Sequence, residues 1–153
     1  ATADLYKGLV WIKNPKLFYL GMQDQWYTFN MFDAQAWYAR DIILGKIKIP
    51  DISVMNADPL DREEREDALE DDYACIRYQA DYIRELIAET DYPDFDVDAA
   101  NEAFFLWKKH KKKNIMTFRD QGGYISPMDK SVSPAHNKSW KEEFDDRMEV
   151  YLK

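Results

Sequence analysis

Between Leu17 and Leu44 the chain passes from a run that is apolar on both faces, LFYLGM, through an aromatic loop into a segment of extreme apolarity. From Met31 to Leu44, ten of fourteen residues are apolar or aromatic, and only Asp33, Gln35, Arg40 and Asp41 are polar. A strand apolar on both faces needs cover above and below it, and such a helix needs cover on most sides. The pattern excludes a free-standing hairpin and calls for neighbours from a larger sheet. With 153 residues, 46% of them hydrophobic and 33% charged, the chain suffices for one domain around one core.

Upstream, Leu5 to Trp11 forms a second apolar run. Asn14-Pro15 separates it from Leu17 to Met22, and proline's fixed φ and missing N–H suit a turn. Two strands in a hairpin are expected. Asn30 can cap the helix that follows and Gly45 can end it. Residues 46–59 hold two prolines and little periodicity and read as a surface connector, with a helix starting only after Pro59. Tyr73, Ile76, Ala80, Ile83 and Ile87 recur at intervals of three and four, which predicts a helix from about Tyr73 to Glu89. Ala100, Ala103, Phe104 and Trp107 repeat that spacing behind Asp98, a suitable N-cap. Residues 115–138 look irregular. The capping-box form Ser139 to Glu142, with Trp140, Phe144, Met148 and Tyr151, predicts a last helix. The expected fold class is mainly α with a short β-strand pair at the N-terminal end.

Charge is concentrated. Asp58 to Asp72 carries nine acids against two arginines, −7 of the chain's net −8, and reads as a solvated helix face. Nonspecific nucleic-acid binding needs clustered cations, so a nucleic-acid partner is not expected. The one basic run, KKHKKK from Lys108 to Lys113, reads as a helix end whose cations complement the dipole, with a phosphate or cofactor contact as the sharper alternative. No stretch approaches the roughly 18 to 20 apolar residues of a membrane span, and mean hydropathy is −0.64, so no membrane partner is expected either. A single cysteine, Cys75, and an opening without a signal-like n-region suit a reducing compartment, and cytoplasm is the expectation.

His110 and His136 belong to no ligand-spaced pattern, and no nucleophile elbow or P-loop is present, so neither a metal site nor a catalytic residue is assigned. The informative segment is GMQDQWYTFNMF, Gly21 to Phe32, a strand-loop-helix passage. Helix N-termini after strands offer N–H donors and partial positive charge to ligands. Gln23, Asp24, Gln25, Thr28 and Asn30 would give polar contacts there, while Trp26, Tyr27, Phe29 and Phe32 either line the site or fill the core.

The run KNPKLFYLGMQDQWYTFNMFDAQAWYARDIILGKI, followed by DYIRELIAETDYPDFD and FLWKKHKKKNIMTFRD, closely resembles the C-terminal third of bacterial flavin-containing monooxygenases of the trimethylamine monooxygenase type. The resemblance covers essentially the whole chain. Those enzymes carry two G-x-G-x-x-G loops, one for FAD and one for NADPH, and neither occurs here. The resemblance therefore implies a C-terminal fragment of an α/β flavoprotein with two dinucleotide domains. Residues 1–46 would be the strand-loop-helix end of the FAD-binding domain, and residues 47–153 a helical C-terminal extension.

For the intact enzyme the resemblance implies reduction of FAD by NADPH and transfer of oxygen from O2 to a small tertiary amine such as trimethylamine, or to a soft sulfur nucleophile. It assigns Gln25 and Thr28 to flavin contacts and Arg119 to NADP. It makes Trp26 and Trp107 walls of the substrate pocket and gives Asp24 a contact with substrate or with the nicotinamide ribose. The helix near Met31 would aim its N–H groups at the flavin's pyrimidine edge. Aromatic walls suit a small amine that sheds water and its proton, and its cationic form would be tolerated over the ring faces. Trp107 also lies on the apolar stripe of its own helix, where a core residue would sit, and an arginine after a helix also serves in surface ion pairs. Alone, the chain is expected to be inert, its partner being the missing N-terminal part. Exposed Phe18, Leu20 and Trp37 would favour a homo-oligomer. The competing reading is an autonomous helical interaction module without catalysis.

Overall fold

A computed structural model of the chain describes residues 4–23 and 26–135. Its elements are β1 (Leu5–Tyr6), β2 (Val10–Trp11), α1 (Thr28–Ile43), α2 (Ile52–Asp67), α3 (Asp72–Ile87) and α4 (Val97–Lys113), with a 3-10 turn at Phe118–Asp120. The class is the expected one: helical, with a two-stranded antiparallel sheet at the N-terminal end. The helix expected from Ser139, together with Asp24, Gln25 and His136, lies outside the described residues. No described helix is long and apolar enough to cross a membrane.

The strands are shorter than the apolar runs imply. Leu5 to Trp11 folds back on itself at Lys7 and Gly8, whose φ values of 49° and 59° are those of a type I′ turn, pairing Leu5 with Trp11 and Tyr6 with Val10. Glycine suits the positive φ there, and a Cβ on Gly8 would stand 1.7 Å from Gln23 Nε2 and displace that amide from its bond to Gly8 O. LFYLGM meets this hairpin through a single bridge, Phe18 opposite Val10, flanked by Trp11 N–H to Leu17 O (3.0 Å) and Tyr19 N–H to Leu9 O (2.8 Å). Among the described residues no further strand covers it, and Leu17, Tyr19, Leu20 and Met22 are exposed. Phe18 and Trp37, expected in the open, are half-buried. Trp37 packs edge-on to Tyr92, at 5.3 Å, under the Arg40 guanidinium.

Helix α1 starts at Thr28, with Tyr27 rather than Asn30 at the N-cap, and ends where Gly45 predicts. Gly45 takes φ 71°, and the bonds Lys46 N–H to Asp41 O (2.8 Å) and Gly45 N–H to Ile42 O (3.0 Å) form a Schellman cap. Helix α2 corrects the connector reading: it begins at Ile52 and runs through Pro59. A mid-helix proline forfeits one backbone bond. Pro59 is tolerated because its ring is buried on the same face as Met55 and Arg62, and that burial offsets the loss.

The stripe on α3 is buried as drawn at Ile76, Ala80 and Ile83, with Leu86 completing it, while Ile87 is half-buried and Tyr73 is 36% exposed. Asp71 caps α3 by accepting from Ala74 N–H at 2.8 Å. Asp96, not Asp98, caps α4, accepting from Ala99 N–H at 2.9 Å, and Asp98 instead pairs with Arg84. The lysine run ends α4, as its dipole complementarity requires. Helix α3 is central: α1 packs on one side and α4 on another, closing a core of Leu9, Val10, Met31, Tyr38, Ile83 and Leu86.

The acidic segment is not wholly a solvated face. Asp58 accepts from Lys7 N–H at 2.6 Å and from Arg62 Nε at 2.9 Å. Arg62 also donates to Glu85 at 3.0 Å, and Lys7 Nζ, with a side chain only 8% exposed, reaches Glu85 (2.8 Å) and Glu89 (2.9 Å). This network ties the hairpin to α2 and α3.

Candidate functional site

The segment that leads into α1 is held by two buried amides. Gln79, on α3, accepts from Trp26 N–H at 2.6 Å and Tyr27 N–H at 3.4 Å. Gln35, on α1, accepts from Gly21 N–H at 2.8 Å and donates to Gln23 Oε1 and Tyr82 Oη, both at 2.8 Å. Gln23 in turn donates to Gly8 O, and Tyr82 to Lys7 O, each at 2.8 Å. Burial pushes the Tyr82 hydroxyl's pKa up, so it keeps the proton that it donates. The Tyr27 hydroxyl is raised for the same reason and donates to Asn101 Oδ1 at 2.7 Å on α4. Both sides of the passage are thus pinned by hydrogen bonds whose loss would strand buried polar atoms.

Pinning Trp26 in this way brings it against Trp107 of α4. The two half-buried indoles meet edge to face, with centroids 6.2 Å apart and planes at 80°. Phe104 stands 6.4 Å from Trp26, and Phe118 of the 3-10 turn stands 5.1 Å from Trp107. Cations lie over these rings. Lys108 Nζ is 5.2 Å above Trp26 and 4.8 Å above Tyr73, and pairs with Asp72. Lys111 Nζ is 4.8 Å above Trp107. Arg119 is exposed, with its guanidinium 4.5 Å over Phe118, and it forms no ion pair among the described residues.

Thr28 is the first residue of α1 and half-buried. The Tyr27 side chain makes no capping bond, and no acidic residue stands in the first turn. Among the described residues no side chain caps these N–H donors, and the helix end carries the partial positive charge suited to an electron-rich edge. Of the six residues singled out from the sequence, four are described: Trp26, Thr28, Trp107 and Arg119. Trp26 and Thr28 are joined by the loop, Trp26 and Trp107 are in contact, and Arg119 reaches the same cluster through Phe118.

A cavity of about 420 Å³ lies elsewhere among the described residues. It opens between α2, α3 and the hairpin, beside Gln23, Arg62, Glu66, Cys75 and Tyr78, and none of the four described residues lines it. Its arginine is already committed to Asp58 and Glu85. Among the described residues no group of three His, Cys, Asp or Glu is placed to hold a metal ion. Gln35, Gln79 and Tyr82 were missed by the sequence reading, and Lys108 and Lys111 were singled out only as part of the basic run, not for their place over the tryptophans. An amide inside a helix as apolar as 31–44 was the available signal for Gln35; Gln79, on the buried stripe of α3, offered a fainter one.

No family model matches the chain. Over 99% of its length it is 60% identical to a protein named trimethylamine monooxygenase from Roseovarius sp. (strain 217), and equally so to one of that name from Roseovarius nubinhibens. A third protein of that name, from Methylocella silvestris, is 48% identical over 97% of the chain. The crystal structure of Tmm from Pelagibacter sp. strain HTCC7211 superposes with a TM-score of 0.87 at 43% identity, covering 98% of this chain. The chain spans about a third of the length of each: 34% of the two Roseovarius proteins and of the Pelagibacter structure, 33% of the Methylocella protein. The resemblance seen in the sequence thus holds along nearly the whole chain, and it is a resemblance to part of a longer protein.

Proposed function

We propose that this chain is the flavin- and substrate-facing C-terminal part of a trimethylamine monooxygenase, an enzyme that uses NADPH, FAD and O2 to convert small tertiary amines to N-oxides in the cytoplasm. The observation that carries this reading is 60% identity over 99% of the chain to proteins of that name. In this reading residues 1–46 complete the FAD-binding domain and 47–153 form the helical extension, and the partner is the part of the enzyme that bears the dinucleotide loops. FAD, when bound, supplies the oxygen-transfer chemistry.

The chain's own residues have narrower tasks. Without glycine loops it does not grip a diphosphate, but the start of α1, with no acidic residue in its first turn, fits the polar edge of a flavin. Its N–H groups would oppose negative charge there, with Thr28 and Gln25 adding side-chain hydrogen bonds. Trp26 and Trp107 would wall the amine and exclude water, so that its lone pair is free to react. Asp24 would orient the amine or the nicotinamide ribose, and Arg119 would hold NADP.

In the intact enzyme, Trp107→Ala is expected to lower kcat/KM for trimethylamine by about tenfold or more while leaving flavin content near one per chain, since it removes positioning and not cofactor grip. Unchanged turnover with full flavin would overturn the pocket assignment.

A further inference from the structure

We propose that Lys108 and Lys111 make the tryptophan wall select the unprotonated amine by charge. This rests on the reading of Trp26 and Trp107 as pocket walls. A bare indole attracts a cation to its face, so two bare tryptophans would hold a trimethylammonium ion as readily as they accommodate the free base. Only the free base has the lone pair that can attack an electrophilic oxygen, and an ammonium bound in its place would be a competitor.

The walls are not bare. Lys108 Nζ stands 5.2 Å from the Trp26 centroid and Lys111 Nζ stands 4.8 Å from that of Trp107. The neighbouring rings are treated alike: Arg119 lies over Phe118 at 4.5 Å and Arg77 over Phe105 at 5.6 Å. Among the described residues the carboxylate paired with these cations is Asp72, bound to Lys108 and itself 59% exposed; Asp24, which the proposed function sets against the amine, is common to parent and variants, so changing the lysines isolates their share. Lys108 is the better buried partner, with a side chain 17% exposed. Each wall therefore already spends its quadrupole on a resident ammonium. A second cation across the same indole would sit about 10 Å from the first, and at an effective dielectric of about 20 that repulsion is worth roughly tenfold in affinity. Asp72 and salt trim the share of Lys108, leaving an expected discrimination of about three- to tenfold.

The test uses the intact, flavin-loaded enzyme and two probes of fixed charge. Tetramethylammonium is permanently cationic and serves as a competitive inhibitor; dimethyl sulfide is a neutral soft nucleophile that never titrates. In Lys108→Gln/Lys111→Gln the Ki of tetramethylammonium should fall three- to tenfold while KM for dimethyl sulfide stays within twofold. In Lys108→Arg/Lys111→Arg, which keeps the charge, both should match the parent. An unchanged Ki in the glutamine variant, or a parallel change in Ki and KM, overturns the proposal. Trp107→Ala serves as the separate control on the pocket. If it moves both constants while the lysine variants move neither, charge selection fails and the pocket stands; if it moves neither constant, the pocket reading fails first.

Discussion

Gln79 shows how much of the candidate site depends on one amide. Its Oε1 takes both the Trp26 and Tyr27 N–H groups at the point where an extended loop becomes a helix. Gln79→Ala strands two donors, one of them on a residue that is buried, and should cost about 2 kcal/mol in urea unfolding, with the Trp26 emission shifting as the indole loosens. A loss below about 0.5 kcal/mol would show that water replaces the amide. At this scale periodicity was legible for Trp107, which lies on the inward stripe of α4, whereas its contact with Trp26 joins residues 81 positions apart and left no local signal; only the family resemblance had set the two together as walls of one pocket. It was illegible where two options are locally equal. Asp96 and Asp98 both precede the apolar positions of α4, and only the incoming chain direction decides that Asp96 receives the Ala99 N–H.

Between elements, the ion network does what the two-residue strands cannot. Burial alone would raise the Glu85 carboxyl, but its hydrogen bond from Lys7 and the nearby Arg62 charge overcome this and hold it below its ordinary 4.5. A carboxylate depressed in the fold contributes stability that is present above about pH 4.5 and lost as pH falls through the folded value. Lys7 is opposite in sign: burial works against its charge, Glu85 and Glu89 prevail, and its pKa rises above 10.5, so its contribution holds below that pH and is lost as pH climbs through the folded value. Glu85→Gln should flatten the acid limb of a stability profile, and Lys7→Met should remove the alkaline limb and cost about 2 kcal/mol at neutral pH, less than a fully buried pair because Glu85 and Glu89 are partly exposed. Urea unfolding at stepped pH reads both, and parallel profiles for parent and variants would refute the assignment. Periodicity found α3 and α4 because one face of each meets the core. It missed the start of α2, where Pro59 counted as a boundary although the ring is buried, and it read one strand from Leu5 to Trp11 because a lysine at positive φ leaves no apolar signature.

At the scale of the molecule, the run LFYLGM is the plainest sign of dependence on something else. Its residues Leu17, Tyr19, Leu20 and Met22 are exposed, with Phe29 83% exposed nearby. Expressed as these 153 residues, the chain is expected to associate with itself; a single monomeric boundary in sedimentation would count against this dependence on a partner surface. The turn at Lys7 has one more consequence. Its amide is engaged by Asp58 of α2, its carbonyl by Tyr82 of α3, and its ammonium by Glu85 of α3 with Glu89 just beyond that helix. A trypsin-like protease needs a lysine that can leave its surroundings and enter an extended groove. The Lys7–Gly8 bond is therefore closed to digestion until the fold opens as a whole, whereas the exposed lysines ending α4 can be cut from the native protein, and the order of the two nicks separates fraying from collapse.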